Sequence, residues 1–496
     1  MEFNADKYKI FDNILKNENY QNDEIIEIIG KTLSSCCPRS WTRVNKILLN
    51  IINFNEEELK KECYKGLPDD LPSLRAIIWK INFRYLPHDI HKWKNSLQSK
   101  RDEYIEIKNA FVLRIKEEIK IFEELEKEKK SRKKNKSKEN DEEDSDDINE
   151  EEKIDENEKN EKDEKNEKEC NTINDINNSD IKNNKDNNGA HSNEKSLSSL
   201  AQCTDRILLE TINKDINRTH MNMHFFNNLV NNKNKISDDE IANIIYQKRN
   251  CTYQDYKQVY TKGRDKKSVF ENETHSDVIE RIIYVYCKLH KEVGYVQGMN
   301  ELVAVIYYCF SIDKTVNLEN VEADTFWCFT YVMKDIKKMF LKENDNGKGG
   351  ILDRVFTLDL LMKNIVKDAY NILAKNNVNI FHFAFSWINV FFCQEFLMPD
   401  IIRLWDIIFS EKDRFIFVYF FSLAILQCKK KKIEKMDFCN IVEEMKKLED
   451  ENVEKIIEVA VILKKKYEKK AYDIISNYDK KENDNEILLR DNLNKV

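Results

Sequence analysis

The chain has 496 residues, more than one ordinary core needs, with 41% hydrophobic residues, 35% charged residues and a formal net charge of −8, which gives it no general attraction to nucleic acid. Only 9 glycines and 5 prolines occur; so few turn-formers disfavour a sandwich or barrel, and the expected fold class is all-α. The 12 cysteines form no CxxC pair, and Cys287, Cys309, Cys328 and Cys393 sit inside apolar runs, a pattern of reduced, buried thiols in a cytoplasmic protein.

In chain order, the opening MEFNADKYKIFDN lacks a basic stretch followed by an apolar one, so no signal peptide is expected. Residues 1–57 read as a helical lead-in. Ile25, Ile26, Ile28 and Ile29 form one apolar cluster, and Ile47, Leu48, Ile51 and Ile52 another. Cys36 and Cys37 read as ordinary thiols rather than lipid attachment sites. Residues 58–124 read as the start of a large helical domain. Within them Leu74, Ile77, Ile78, Ile81 and Tyr85 fall on one helical face, between the Gly and Pro that punctuate Gly66 and Pro87.

Residues 125–200 change character: 127–138 are basic, 139–152 acidic, and Lys, Glu, Asn and Asp then alternate. Such a segment buries too little apolar surface to offset chain entropy, and is expected to be a disordered insertion. Order is expected again over 201–475, with a long polar loop at 231–274 and a shorter one at Glu343–Gly350. The apolar run Phe415–Cys428 is shorter than the ~18–20 residues that span a bilayer, so it reads as a buried core helix. The tail 476–496 is charged and expected to fray.

Three segments carry candidate chemistry. The first ends a helical pattern: Ile212, Asp215, Arg218 and Thr219. Asp215 and Arg218 share a helix face, so the acid can orient the guanidinium. Taken alone, an ordinary surface ion pair worth under ~1 kcal/mol accounts for this spacing. The second is Gly294-Tyr295-Val296-Gln297-Gly298-Met299-Asn300-Glu301. It follows an amphipathic helix, Asp277–His290, whose start Asp277 and Glu280 could cap, and it precedes an apolar helix, Leu302–Phe310. Glycines on both sides of Gln297 suit a tight turn that presents one amide, able to donate to one oxygen and accept from another and so to hold a water; a plain helix–loop–helix turn is the alternative. The third runs from Phe385-Ser-Trp387 through Glu395-Phe396 to Pro399, Arg403, Trp405 and Asp406. It reads as scaffold, with Pro399 in a first helical turn and at least some of Glu395, Arg403 and Asp406 paired and partly buried.

Together and in this order, the segments resemble the TBC-domain family of Rab GTPase-activating proteins. Ile212, Asp215 and Arg218 match its Ile-x-x-Asp-x-x-Arg pattern. Tyr295, Gln297, Gly298 and Met299 match Tyr-x-Gln-Gly-Met. Trp387, Glu395, Phe396, Arg403, Trp405 and Asp406 match its Trp…Glu-Phe…Arg-x-Trp-Asp block. Leu67-Pro68 through Trp79-Lys80 resembles the family's opening helix, so the likeness covers about residues 60–470 with the charged segment as an insertion. Details such as GYVQGMNE, EADTFWCF and CQEFLMPDIIRLWD look most like the branch that contains family member 13. The chain departs from the family after the arginine, where Thr219-His220-Met221 stands in place of Thr-Phe-Pro.

The resemblance implies a V-shaped or arched array of helices and a GTPase-activating role in vesicle trafficking. Arg218 would neutralise charge on the transferred phosphoryl group, Gln297 would orient the attacking water, and Asp215 would position Arg218. Tyr295, Gly298, Met299 and Asn300 would contact the partner, a Rab-type GTPase in its GTP-bound form. No cofactor or metal site is implied in this chain, since GTP and Mg²⁺ belong to the partner. Any residence on endomembranes would be peripheral, borrowed from the lipidated GTPase. The alternative is a catalytically weak module that binds a Rab as a scaffold or adaptor; the presence of both Arg218 and Gln297 favours catalysis. A nucleotide-binding enzyme is disfavoured, because no GxxxxGK[ST] loop exists and Gly347-Lys348-Gly349-Gly350 lacks the spacing.

Overall fold

In the computed structural model, every regular element among the described residues is a helix, apart from an isolated antiparallel bridge between Leu229 and Thr274. The described residues are 41–69, 71–111, 207–220, 223–230, 273–313, 316–341 and 347–493. All but Ile207 belong to the compact unit made of residues 1–114 and 208–496. The expected disordered insertion at 125–200, residues 1–40 with Cys36 and Cys37, and the expected loop at 231–274 up to residue 272 lie outside the described residues.

The first helices are α1 (Trp41–Ile52), α2 (Glu56–Tyr64) and α3 (Pro72–Asn82), followed by the helical residues 93–111 (α4) and 208–216 (α5). Next come α6 (His275–Leu289), α7 (Met299–Ser311) and α8 (Leu318–Ile336). The C-terminal group is α9 (Ile351–Ile365), α10 (Lys367–Lys375), α11 (Ala384–Asn389), α12 (Met398–Ile408), α13 (Arg414–Ile433), α14 (Phe438–Lys446) and α15 (Val453–Leu493).

Helix α13 explains the apolar run at 415–428. Every residue from Arg414 to Leu426 is buried, and a helix that is apolar all round belongs inside a protein. It packs against α9, α10, α12 and α15. Helix α12 then packs on α2 and α7, and α7 on α3, α6 and α8. Packing is therefore continuous from α13 to the first turn of α7, which directly follows the turn that carries Gln297. No helix among the described residues is long and apolar enough to cross a membrane.

Buried carboxylates fasten the early helices to the later ones. Asp406 of α12 accepts hydrogen bonds from Arg75 Nε at 3.2 Å, Trp79 Nε1 at 2.7 Å and the Leu67 amide at 3.3 Å. Asp324 of α8 accepts from Lys80 Nζ at 2.6 Å, Tyr85 Oη at 2.8 Å and Arg101 Nε at 2.9 Å. Glu322 accepts from Arg281 Nε at 2.8 Å and Tyr104 Oη at 2.6 Å. Each buried charge is thus met by several donors, the condition under which burying it is tolerated. Among the described residues the cysteines are free thiols, and Cys63, Cys287, Cys309, Cys328 and Cys393 are buried.

Local details depart from the sequence reading in two places. Helix α6 is capped by Thr274 rather than by Asp277. Thr274 Oγ1 accepts from the Asp277 amide, while the Asp277 carboxylate reaches back to the Thr274 amide, a reciprocal capping box one turn earlier than expected. At the C-terminus the helix continues to Leu493, where the charged composition suggested fraying. Residues 453–493 contain no Gly or Pro, and Lys464 pairs with Glu468 one turn on at 2.7 Å.

Candidate functional site

Helix α5 is held by its apolar inner face, where Ile212 and Ile216 are buried. Beyond it the chain closes a tight turn: the Arg218 amide donates to the Asp215 carbonyl at 3.1 Å and the Thr219 amide to the Ile216 carbonyl at 3.1 Å. That turn points Arg218 outward, with its side chain 58% exposed, while Asp215 is sunk beneath it. One Asp215 oxygen accepts from Arg218 Nη2. The other accepts from the Tyr295 hydroxyl at 2.7 Å, across eighty residues of chain. Burial, and then the Asp215 carboxylate, raise the Tyr295 phenol well above its ordinary range, so it stays a donor.

The second loop is fixed by its glycine. Gly298 has φ +106°, and a Cβ there would lie 2.8 Å from Val390 Cγ1. Both the backbone conformation and the close approach to Val390 require glycine. Gln297, just before it, is exposed. Just after it, Met299 is fully buried and Asn300 is 3% exposed. The Asn300 amide uses both ends: Oδ1 accepts from the Gly298 amide at 3.0 Å and lies 3.2 Å from Tyr295 Oη, whose one proton goes to Asp215, while Nδ2 donates to Thr219 Oγ1 at 2.7 Å. Thr219 Oγ1 in turn donates to the Asp215 carbonyl at 2.8 Å.

Arg218, Asp215, Tyr295, Gly298, Met299 and Asn300 are thus brought to one place, and Gln297 lies between two of the bonded residues. Of the residues expected to contact a partner, Gly298, Met299 and Asn300 are buried under the loops and Tyr295 is partly exposed. The chain's departure at His220 is accommodated in the same place. His220 has φ +43°, its ring stacks at 5.8 Å on Phe226, and its Nε2 lies 3.3 Å from Glu301 Oε2. Burial holds His220 down at about 4. Burial also pushes the Glu301 carboxyl up to about 7, opposed by the Gln394 amide and reinforced by Glu395. The pair is therefore a neutral imidazole facing a carboxyl that holds its proton up to near neutrality. Glu395, likewise lifted to about 7 by burial, accepts from Ser386 Oγ at 2.5 Å.

Chemically, the surface offers an anchored guanidinium and an exposed primary amide on a rigid turn. Such a pair can supply positive charge and position a water. Among the described residues no group of three or more His, Cys, Asp or Glu side chains could hold a metal ion. Sequence reasoning did not find the roles of Thr219, Asn300 and the His220–Glu301 contact, since each joins residues 81 apart in the chain or a pair with no motif of its own.

Residues 230–434 match the family described as the Rab-GTPase-TBC domain; the matched stretch includes Gln297 and begins after Arg218. TBC1 domain family member 13 of Homo sapiens is 35% identical over 194 residues, which cover 36% of this chain and 48% of that protein. The GTPase-activating protein GYP1 of Saccharomyces cerevisiae is 34% identical over 152 residues, 27% of this chain and 23% of that protein. The matched region therefore spans about half the length, or less, of these curated relatives. The crystal structure of the Ypt/Rab-GAP domain of Gyp1p superposes with a TM-score of 0.51 at 20% identity, covering 88% of this chain and 99% of that one, and so shares the all-helical fold.

Proposed function

We propose that this chain, whose residues 230–434 match the Rab-GTPase-TBC domain, is a GTPase-activating protein of the TBC-domain family, acting on a GTP-bound Rab-type small GTPase in vesicle trafficking. Residues 58–124 and 201–475 form the TBC domain in this reading. Arg218 enters the partner's nucleotide site and neutralises charge spreading over the transferred phosphoryl oxygens. Gln297 orients the attacking water, and Asp215 aims Arg218. Phosphoryl transfer needs charge stabilisation and positioning rather than covalent chemistry. An arginine supplied in trans contributes on the order of 10³–10⁵ in rate, or roughly 4–7 kcal/mol off the barrier. GTP and Mg²⁺ are the partner's.

The observation that carries this reading is the hydrogen-bonded bridge from Asp215 to Tyr295, which holds the arginine turn against the glutamine turn. Two groups that must meet one phosphate need such a fixed spacing. The test is complex formation with a panel of purified Rabs loaded with GDP and aluminium fluoride, which mimics the transferred phosphoryl group. A complex that forms with fluoride, fails without it, and fails with Arg218→Ala supports the reading. Equal binding with and without fluoride to the GTP form would instead favour a scaffold.

A further inference from the structure

We infer that Asn300 is a positioning residue, the strut that sets where the Arg218 and Gln297 turns stand relative to each other. The inference rests on the catalytic reading above and extends it to a residue that touches neither partner nor nucleotide.

The geometry is a ring, made of hydrogen bonds and closed by the backbone between Tyr295 and Asn300. Asn300 Nδ2 donates to Thr219 Oγ1 at 2.7 Å, and Thr219 Oγ1 donates to the Asp215 carbonyl at 2.8 Å. The Asp215 carboxylate accepts from Tyr295 Oη at 2.7 Å, and Tyr295 Oη also approaches Asn300 Oδ1 at 3.2 Å. Inside the ring Asn300 Oδ1 takes the Gly298 amide at 3.0 Å. Arg218 is attached to this ring twice, as the residue before Thr219 and through its bond to Asp215. Gln297 is attached twice as well, as the residue before Gly298 and two after Tyr295. Both exposed side chains therefore hang from one small rigid frame.

Only a primary amide of this length fits the place. It must accept from the Gly298 amide on one side and donate to Thr219 on the other. Aspartate lacks the donor and would set a third carboxylate beside Glu301, whose Oε1 lies 3.4 Å from Asn300 Nδ2, and near Asp215. Alanine leaves the Gly298 amide and the Thr219 hydroxyl without their buried partner, and each such loss is costly. Because Asn300 is 3% exposed, its effect on a partner's chemistry must pass through the two turns. A shift of about 1 Å in a reacting geometry costs on the order of 10²-fold in rate.

The test uses the full chain and Asn300→Ala, with Thr219→Val as a variant that keeps shape and removes only the hydroxyl, and Thr219→Ser as the one that restores it. Hydrogen exchange is read over residues 211–220 and 293–299. Both segments should exchange faster together in Asn300→Ala and Thr219→Val, with 415–428 unchanged and Thr219→Ser like wild type. Faster exchange in one turn alone, or in neither, overturns the strut. In single-turnover hydrolysis with a responsive Rab, the maximal rate should fall about 10²-fold with half-saturation unchanged. In an Arg218→Ala/Gln297→Ala background, Asn300→Ala should cost nothing further. A weakened half-saturation at full rate would make Asn300 a binding residue and overturn the proposal. If the wild-type chain accelerates no Rab, the GTPase-activating reading falls, and the exchange result still decides the strut.

Discussion

Replacing Asp406 by alanine should destabilise the fold by about 3–5 kcal/mol, the range for removing one partner of a buried ion pair. The carboxylate is fully buried and serves Arg75, Trp79 and the Leu67 amide at once. Burial raises its pKa, and the Arg75 charge opposes that rise. After truncation the Trp79 N–H has no acceptor, which alone costs roughly 1–3 kcal/mol. The Arg75 guanidinium keeps the Leu67 carbonyl at 2.9 Å and Asp69 at 2.7 Å, so its charge is only partly stranded. With the Leu67 amide, which also loses its acceptor, these three losses place the effect within the quoted range. Asp406→Asn, which keeps an acceptor for Trp79, should cost less. Urea unfolding of each variant, followed by tryptophan fluorescence, measures this. A loss under about 1 kcal/mol for Asp406→Ala would refute the idea that this carboxylate clamps the first helices to α12.

Gly298→Ala should cost about 1–3 kcal/mol, because it combines a positive φ with a Cβ 2.8 Å from Val390; a melting temperature within error of wild type would refute this. Glu395→Gln should stabilise the chain at pH 8 and scarcely at pH 4.5. The Glu395 pKa is raised in the folded state to about 7 from 4.5, so the folded chain keeps a proton that the unfolded chain loses. Stability then falls as pH rises from 4.5 to 7 and stays lowered above it, by at most ~3 kcal/mol. Across that range the urea midpoint of the variant should gain on wild type as pH rises, the difference isolating Glu395 from Glu301 and His220, which titrate in the same window. Arg218→Lys should restore little of the activity lost in Arg218→Ala, because an ammonium lacks the planar fork of donors.

The helical elements were legible because their signals are local. The apolar face of Leu74, Ile77, Ile78 and Ile81 is buried in α3, and Pro399 lies in the first turn of α12. The first cap of α6 was missed by one turn because both Thr274 and Asp277 are good capping residues, and only the backbone decides between them. The persistence of α15 to Leu493 was missed because charge was weighed above the absence of helix breakers. Within the site, the Asp215–Arg218 contact was readable from i, i+3 spacing. Its closure was not: the bonds from Tyr295 to Asp215 and from Asn300 to Thr219 span 80 and 81 residues, and no pattern along a single chain announces such pairings. The resemblance implies partner contact for Met299 and Asn300, which directly follow Gln297 and Gly298. The left-handed Gly298 just before them turns the chain inward instead.

The most direct measurement is single-turnover GTP hydrolysis across a panel of purified Rabs, with wild-type chain, Arg218→Ala and Gln297→Ala. The expected result is at least one Rab accelerated on the order of 10³-fold or more, with each substitution removing most of the gain. A Rab that binds without acceleration, or acceleration that survives loss of Arg218, would contradict the proposed mechanism.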